Sequence, residues 1–228
     1  MIMNNMIEAK KAVGMAAAEM VQSGMVVGLG TGSTSSYFIN SLIIKCKEGL
    51  QIKAVATSDA SEHLAKEGGI PFANIDELTS LDICFDGADE IDPKKRMIKG
   101  GGGALLREKI VATMSKQMIV LVDESKCVQT LGKFPLPVEI VQFGYNSTIY
   151  QINSLGYKGN IRKKKDGSLY MTDSGNYIYD IQLESNHLDP EIIHQSLINI
   201  PGVIETGFFL NLASLVLIGK ANGKVKKI

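Results

Sequence analysis

The chain of 228 residues carries 24 basic and 24 acidic side chains, so its formal net charge is zero, and 45% of its residues are hydrophobic. That length supplies the core of one large domain or a domain and a half and excludes a disordered chain, while the balanced charge removes the overall field that draws a protein onto nucleic acid or an anionic membrane. Cys46, Cys84 and Cys127 stand far apart with no C-x-x-C pair, which fits neither a disulfide framework nor a zinc ribbon and points to a reducing cytoplasm. Lys10 and Lys11 interrupt the apolar N-terminus, and no apolar run reaches about 18 residues, so neither a signal peptide nor a membrane span is expected.

Glu8 to Met20 is rich in Ala, Met, Lys and Val and predicts a helix closed by Ser23-Gly24. Met25 to Leu29 predicts a short strand, Gly30 to Thr34 a turn, and Ser35 to Lys45 a helix spaced by Phe38, Ile39, Leu42 and Ile43. The alternation repeats: a strand over Ile52 to Ala56, a helix over Asp59 to Glu67, a strand over Leu81 to Phe85, a helix over Ala104 to Met114 and a strand over Ile119 to Val122. Short apolar strands alternating with helices indicate an α/β fold with a parallel sheet covered on both faces.

After Gly132 the pattern changes, and Phe134-Pro135-Leu136-Pro137 breaks the chain. A strand over Val138 to Gln142, a helix near Asn146 to Leu155, hairpin alternation through Leu169 to Leu183, a helix over Pro190 to Ile200 and a strand over Val203 to Phe209 read as a small split βαβ unit, an α+β domain of ferredoxin-like order. Leu215 to Ile218 is a buried-type strand that can return to the first sheet. The expected organisation is therefore a first domain of residues 1–131 with 205–228 and a smaller one of residues 132–204. Lys163 to Lys165 precede Asp166-Gly167 and read as a solvated hairpin tip, not a nucleic-acid patch.

The loop Gly28-Leu29-Gly30-Thr31-Gly32-Ser33-Thr34 follows a strand and opens a helix, so its N–H groups can converge on an anion. Ser33 stands where the dinucleotide fingerprint needs glycine, and the Gly-Lys ending of a P-loop is absent, so a single phosphate suits the loop better. An ordinary tight turn with Ser and Thr caps reads equally well.

Asp86 ends a buried-type strand at the edge where open α/β sheets bind ligands, and Asp89 follows on the same turn. Such a pair can divide into acid and base, or serve merely as turn former and helix cap; Glu90 and Asp92 are expected to face solvent. Lys99 precedes the costly run Gly100 to Gly103 and can neutralise an oxyanion or phosphate. Glu108 has Ala104, Leu105, Val111 and Ala112 as helical neighbours, an apolar flank that would tune a carboxylate as a general base; the alternative is a surface ion pair with Arg107 or Lys109. Together these residues describe a site for moving protons on a small anionic substrate without a metal. His63, His187 and His194 have no ligand-like spacing and read as surface or packing residues.

The segments GLGTGST, TSDAS, DGADEID, MIKGGGGALLREK and LGKFPLPVEI, in this order, resemble those of type A ribose-5-phosphate isomerases across almost the whole chain. The resemblance implies a Rossmann-like domain with a smaller α+β domain. It also implies cofactor-free interconversion of ribose 5-phosphate and ribulose 5-phosphate through an enediolate, in the non-oxidative branch of the pentose phosphate pathway, by a cytoplasmic homodimer or tetramer. Glu108 would be the base between C2 and C1, Asp86 would serve ring opening or hydroxyl proton transfer, and Asp89 and Lys99 would bind and polarise the sugar. Thr31, Gly32, Ser33, Thr34, Gly100, Gly101, Gly102 and Lys126 would line the substrate, with Lys10 a further phosphate contact. Departures near Lys45 to Gly49 and in the charged turn from Pro93 to Arg96 touch none of these positions. A sugar-phosphate sensor would need a helix-turn-helix for which the start of the chain leaves no room, and an aminosugar-phosphate deaminase would not share the DGADEID and KGGGGA motifs.

Overall fold

In a computed structural model, residues 2–183 and 189–228 are described. In chain order they form α1 (Ile2–Ala18), β1 (Val26–Leu29), α2 (Ser33–Lys47), β2 (Lys53–Ala56), α3 (Asp59–Glu67), β3 (Ile83–Gly87), β4 (Glu90–Ile91), β5 (Met97–Ile98), α4 (Leu105–Met114), β6 (Met118–Asp123), β7 (Leu136–Ile140), α5 (Tyr145–Ser154), β8 (Gly159–Ile161), β9 (Tyr177–Ile181), α6 (Pro190–Ile198), β10 (Val203–Thr206), β11 (Phe208–Phe209), β12 (Ala213–Gly219) and β13 (Val225–Lys227). They divide into two units, Met1–Ala88 with Arg107–Cys127 and Asn211–Ile228, and Asp89–Leu106 with Val128–Leu210.

The first unit is built on a six-stranded sheet of order β13-β12-β6-β3-β1-β2. Its strands run parallel except β13, which pairs antiparallel with β12. Every residue of β6 is buried, as expected of a strand sandwiched between helices. Phe38 of α2 and Phe85 of β3 stack in the core with centroids 4.4 Å apart, beside Val27, Leu29, Leu42, Ile119 and Leu121. Ser58 caps α3 by accepting the N–H of Ser61, and Asp59 and Glu62 complement the helix dipole in the first turn. From β1 the chain crosses to β2 on one side, whereas β3 lies on the other, so strand order reverses at β1. That reversal opens a crevice at the carboxyl ends of the strands.

The second unit carries β7, α5, β8, β9, α6 and β10, with an antiparallel sheet of order β10-β7-β9-β8. This is the split βαβ arrangement expected from the residue pattern. Val138, Ile140, Ile152, Tyr179, Ile181 and Leu197 fill its core. A three-stranded sheet, β11-β5-β4, accompanies it.

Several local expectations need correction. Residues 89–106 cluster with 128–210 rather than with the first unit, because β5 pairs with β11 and β4 pairs with β5. The chain does not break at Pro137: β7 runs through it, since Pro137 sits near the strand's start and supplies only its carbonyl, which accepts from Gly207 N at 2.7 Å. The strand read over Val203 to Phe209 is two strands parted at Gly207. The first hairpin strand lies at Gly159–Ile161, before the alternating run, and the Lys163 to Gly167 segment forms the turn, with Lys163 bridged to Leu169. Glu90 and Asp92 do not face solvent; each is 3% exposed. Glu90 accepts from the N–H groups of Gly132 (2.7 Å) and Phe134 (2.6 Å). Asp92 closes its own turn through Lys94 N and Arg96 N and receives the Arg96 guanidinium. Charge in that turn satisfies backbone rather than water.

Candidate active site

In the first unit, the loop after β1, the end of β3 and the turn after β6 leave three adjacent strands at the same edge of the sheet. Asp86, 3% exposed, sits on β3 with Oδ1 accepting the N–H groups of Thr31 (3.1 Å) and Gly87 (2.8 Å). Gly30 makes this possible, because a Cβ there would fall on the Asp86 carboxylate and stand 2.6 Å from its Cα. Thr31 thus spends its amide on Asp86, while its hydroxyl pairs with Thr57 Oγ1 at 2.7 Å. Ser61 donates to Gly30 O at 2.7 Å, so the TSDAS segment braces the loop from α3.

Gly32 and Ser33 are exposed and Thr34 is half-buried at the start of α2. Gly32, at the N-cap, offers no side chain to the helix N–H groups, and Lys10 of α1 reaches Ser33 Oγ at 2.9 Å. A cation beside a helix N-terminus is chemistry for an anion. Lys126, half-buried, ends a 3₁₀ turn that Asp123, at the end of β6, caps by accepting the N–H of Ser125.

Glu108 stands in the first turn of α4 and is 5% exposed. That burial takes it off the surface, and Arg107 pairs with Asp59 at 2.7 Å. Val111, one turn on, packs where a Cβ at Gly28 would come 2.6 Å from its methyl group, so this face of α4 lies against β1. Glu108 shares that face at spacing i−3, toward the N-terminal end of the helix.

The second unit carries Asp89, Lys99 and the glycine run. Asp89 Oδ2 accepts the N–H of Gly101 at 2.7 Å, and a Cβ on Gly101 would stand 2.5 Å from Asp89 Oδ1. Lys99 is 2% exposed; its N–H donates to Gly207 O at 2.8 Å and its ammonium lies 5.3 Å from the Phe209 ring centroid. Gly100 and Gly103 have φ of 102° and 82°, which side-chain-bearing residues rarely adopt.

A sequence model of the family described as ribose 5-phosphate isomerase A (phosphoriboisomerase A) matches residues 53–223. The chain belongs to that family. The ribose-5-phosphate isomerase A of Protochlamydia amoebophila (strain UWE25) is 50% identical over 220 residues, covering 96% of this chain and 95% of that protein. Its counterpart from Bacillus mycoides (strain KBAB4) is 48% identical over 218 residues, covering 96% and 98%. The solved ribose 5-phosphate isomerase of Plasmodium falciparum superposes with a TM-score of 0.93 at 36% identity and 98% coverage of both chains. A D-ribose-5-phosphate isomerase in complex with phospho-erythronic acid gives a TM-score of 0.91 at 39% identity and 97% coverage of both.

This ribose 5-phosphate isomerase A family member is therefore an isomerase of Rossmann-like architecture. Among its described residues no group of three or more His, Cys, Asp or Glu could hold a metal ion, and no helix is long and apolar enough to cross a membrane. His63 pairs with Glu67 on the surface of α3, and His194 packs with Nδ1 2.8 Å from Thr206 Oγ1; His187 lies outside the described residues. Residue-by-residue reading of the isomerase passed over Thr57 and Ser61, whose bracing role is visible only where α3 meets the loop, and Arg162, which precedes the lysine run. Arg162 Nη1 donates to Gly100 O at 2.8 Å.

Proposed function

We propose that this isomerase interconverts D-ribose 5-phosphate and D-ribulose 5-phosphate by proton transfer through an enediolate. Glu108 takes the proton from C2 of the open-chain aldose. The C–H electron pair becomes the C1=C2 double bond, and charge passes to O1. Asp86 carries the hydroxyl proton from O2 to O1, Glu108 returns its proton to C1, and C2 is left as the ketone. One proton moves between carbons and one between oxygens, so the step needs no external oxidant or reductant. Asp89 and Lys99 bind and polarise the sugar, with Lys99 countering the developing charge on oxygen.

Lys126, Lys10 and the Thr31 to Thr34 loop take the phosphate, and Gly100 to Gly102 line the substrate. The observation that carries this reading is the burial of two carboxylates, Asp86 and Glu108, in the unit whose sheet edge also bears the anion loop. Buried ionisable groups are costly and mark functional sites. The relative solved with phospho-erythronic acid, a phosphorylated sugar acid, supports a phosphosugar ligand. The widely spaced cysteines and zero net charge support a cytoplasmic enzyme with neither a nucleic-acid nor a membrane partner, and the family resemblance supports a homodimer or tetramer in the pentose phosphate pathway.

The test is NMR of chelator-treated protein with ribose 5-phosphate in D₂O. Ribulose 5-phosphate carrying deuterium at C1 is expected, because the carboxylic acid formed on Glu108 can exchange before redelivery. Saturable binding without any ribulose 5-phosphate, from folded protein, would replace the isomerase reading by a sugar-phosphate sensor.

A further inference from the structure

The carbonyls of the glycine run in the second unit are held by side chains of one hairpin. Arg162, just past β8, is fixed by a two-pronged pair with Asp180 of β9, Nε to Oδ2 at 2.8 Å and Nη2 to Oδ1 at 2.5 Å. A fork gripped at two points has its third nitrogen aimed by geometry. That nitrogen, Nη1, donates to Gly100 O at 2.8 Å and to Gly101 O at 3.2 Å. Tyr170 donates its hydroxyl to Gly102 O at 3.2 Å, and its ring centroid lies 5.7 Å from the Arg162 guanidinium carbon. The Tyr170 N–H also bonds Arg162 O at 3.0 Å, which ties the two donors together. Gly103 gives the tyrosine room: a Cβ there would fall on its hydroxyl and stand 2.6 Å from its ring.

Three consecutive loop carbonyls therefore point at the hairpin. In a planar trans peptide the N–H points opposite the C=O, so the amides of residues 101, 102 and 103 point away from it. Gly101 N–H is taken by Asp89 and Gly103 N–H by Gly100 O, at 2.7 and 2.9 Å. The remaining peptide presents the Gly102 N–H. Four glycines in a row lose more freedom on ordering than any other sequence would, and a loop of that kind keeps one shape only if something outside it imposes that shape.

We propose that Arg162 and Tyr170 are positioning residues of the isomerase: they clamp the carbonyls of Gly100 to Gly102 so that Gly102 N–H and Asp89 are preset for the sugar. The inference rests on the reading that the glycine run lines the substrate. Burial pushes the Tyr170 phenol above its ordinary value, against an opposing effect of Arg162, so the hydroxyl stays a donor through neutral pH.

The experiment compares Arg162→Lys, which keeps the charge but not the fork, Tyr170→Phe, which removes one hydroxyl, and Gly101→Ala, which pushes directly on Asp89. Steady-state kinetics with ribose 5-phosphate, urea midpoints and hydrogen exchange of the loop amides are measured on each. Arg162→Lys and Tyr170→Phe should keep near-native midpoints, speed exchange at residues 101–103, and lose about 10- to 100-fold in kcat with a smaller change in KM, as a misplaced contact does. If Arg162→Lys loses its fold, Tyr170→Phe decides alone. Wild-type kcat in both clamp variants, with activity lost in Gly101→Ala, would overturn the clamp and leave the substrate loop standing. Wild-type kcat in all three would overturn the substrate loop and the clamp with it.

Discussion

Replacing Gly30 by alanine tests whether the loop after β1 serves mainly to hold Asp86. The new methyl would fall on the Asp86 carboxylate and lie 2.6 Å from its Cα, where ordinary contact begins at 3.4 Å, so the main chain of β3 must yield by about 0.8 Å. A side-chain tip could swing aside, but a Cα in a strand buried on both faces cannot move without its neighbours. Overpacking of this kind costs about 1–3 kcal/mol, which for a chain of this size lowers Tm by roughly 2–12 °C. Displacing Asp86 by a comparable distance should lower kcat by about 10²-fold, equivalent to about 2.7 kcal/mol in the barrier. Gly68→Ala is the control. Its methyl would fall on the Ile43 side chain at the far end of α3, so it should lose stability with kcat intact. The assay is NMR of ribulose 5-phosphate formation beside calorimetry on both variants. Wild-type kcat in Gly30→Ala, whatever its Tm, would refute the reasoning.

Glu108→Gln should fold and bind substrate yet lose about 10²- to 10⁴-fold in kcat, since an amide fills the space without accepting a proton; near-normal turnover would remove Glu108 from the mechanism. Lys126→Ala should chiefly raise KM, because a phosphate contact equal in ground and transition states is uniform binding; a fall in kcat at constant KM would contradict that role. Asp82 bonds Lys116 Nζ at 2.7 Å and Val26 N at 2.9 Å, and the lysine, with the strand amide, holds its carboxyl below the ordinary 3.8. A depressed carboxylate contributes stability that is present above its unfolded value and is lost as pH falls through its folded value. Asp82→Asn should therefore unfold at lower urea than wild type at pH 7, and the gap should narrow below pH 3.8; a gap independent of pH would exclude the ion pair as its source.

The order of the longer strands and helices is legible in the residues alone. Apolar runs and helical spacing are local properties, and α3 emerges at the expected Asp59–Glu67 because its cap, Ser58, stands next to it in sequence. Glu90 and Asp92 read as solvent-facing because acidic residues in a turn normally are; nothing near Glu90 announces Gly132 and Phe134, whose N–H groups lie over forty residues away, while Asp92 turns inward onto Lys94 N and Arg96 N of its own turn. The two-residue strands β4 and β5 are too short to show a period, and the outer partners of Met97 and Ile98, Phe209 and Phe208, lie over a hundred residues on. What Asp86 and the glycine run are fastened to was likewise decided by tertiary structure. Thr31 meets Asp86 across 55 positions and Arg162 meets Gly100 across 62, pairings that exist only once sheet register has brought distant donors to carbonyls and carboxylates. Burial then enforces them, since a polar group removed from water must find a partner wherever the fold supplies one.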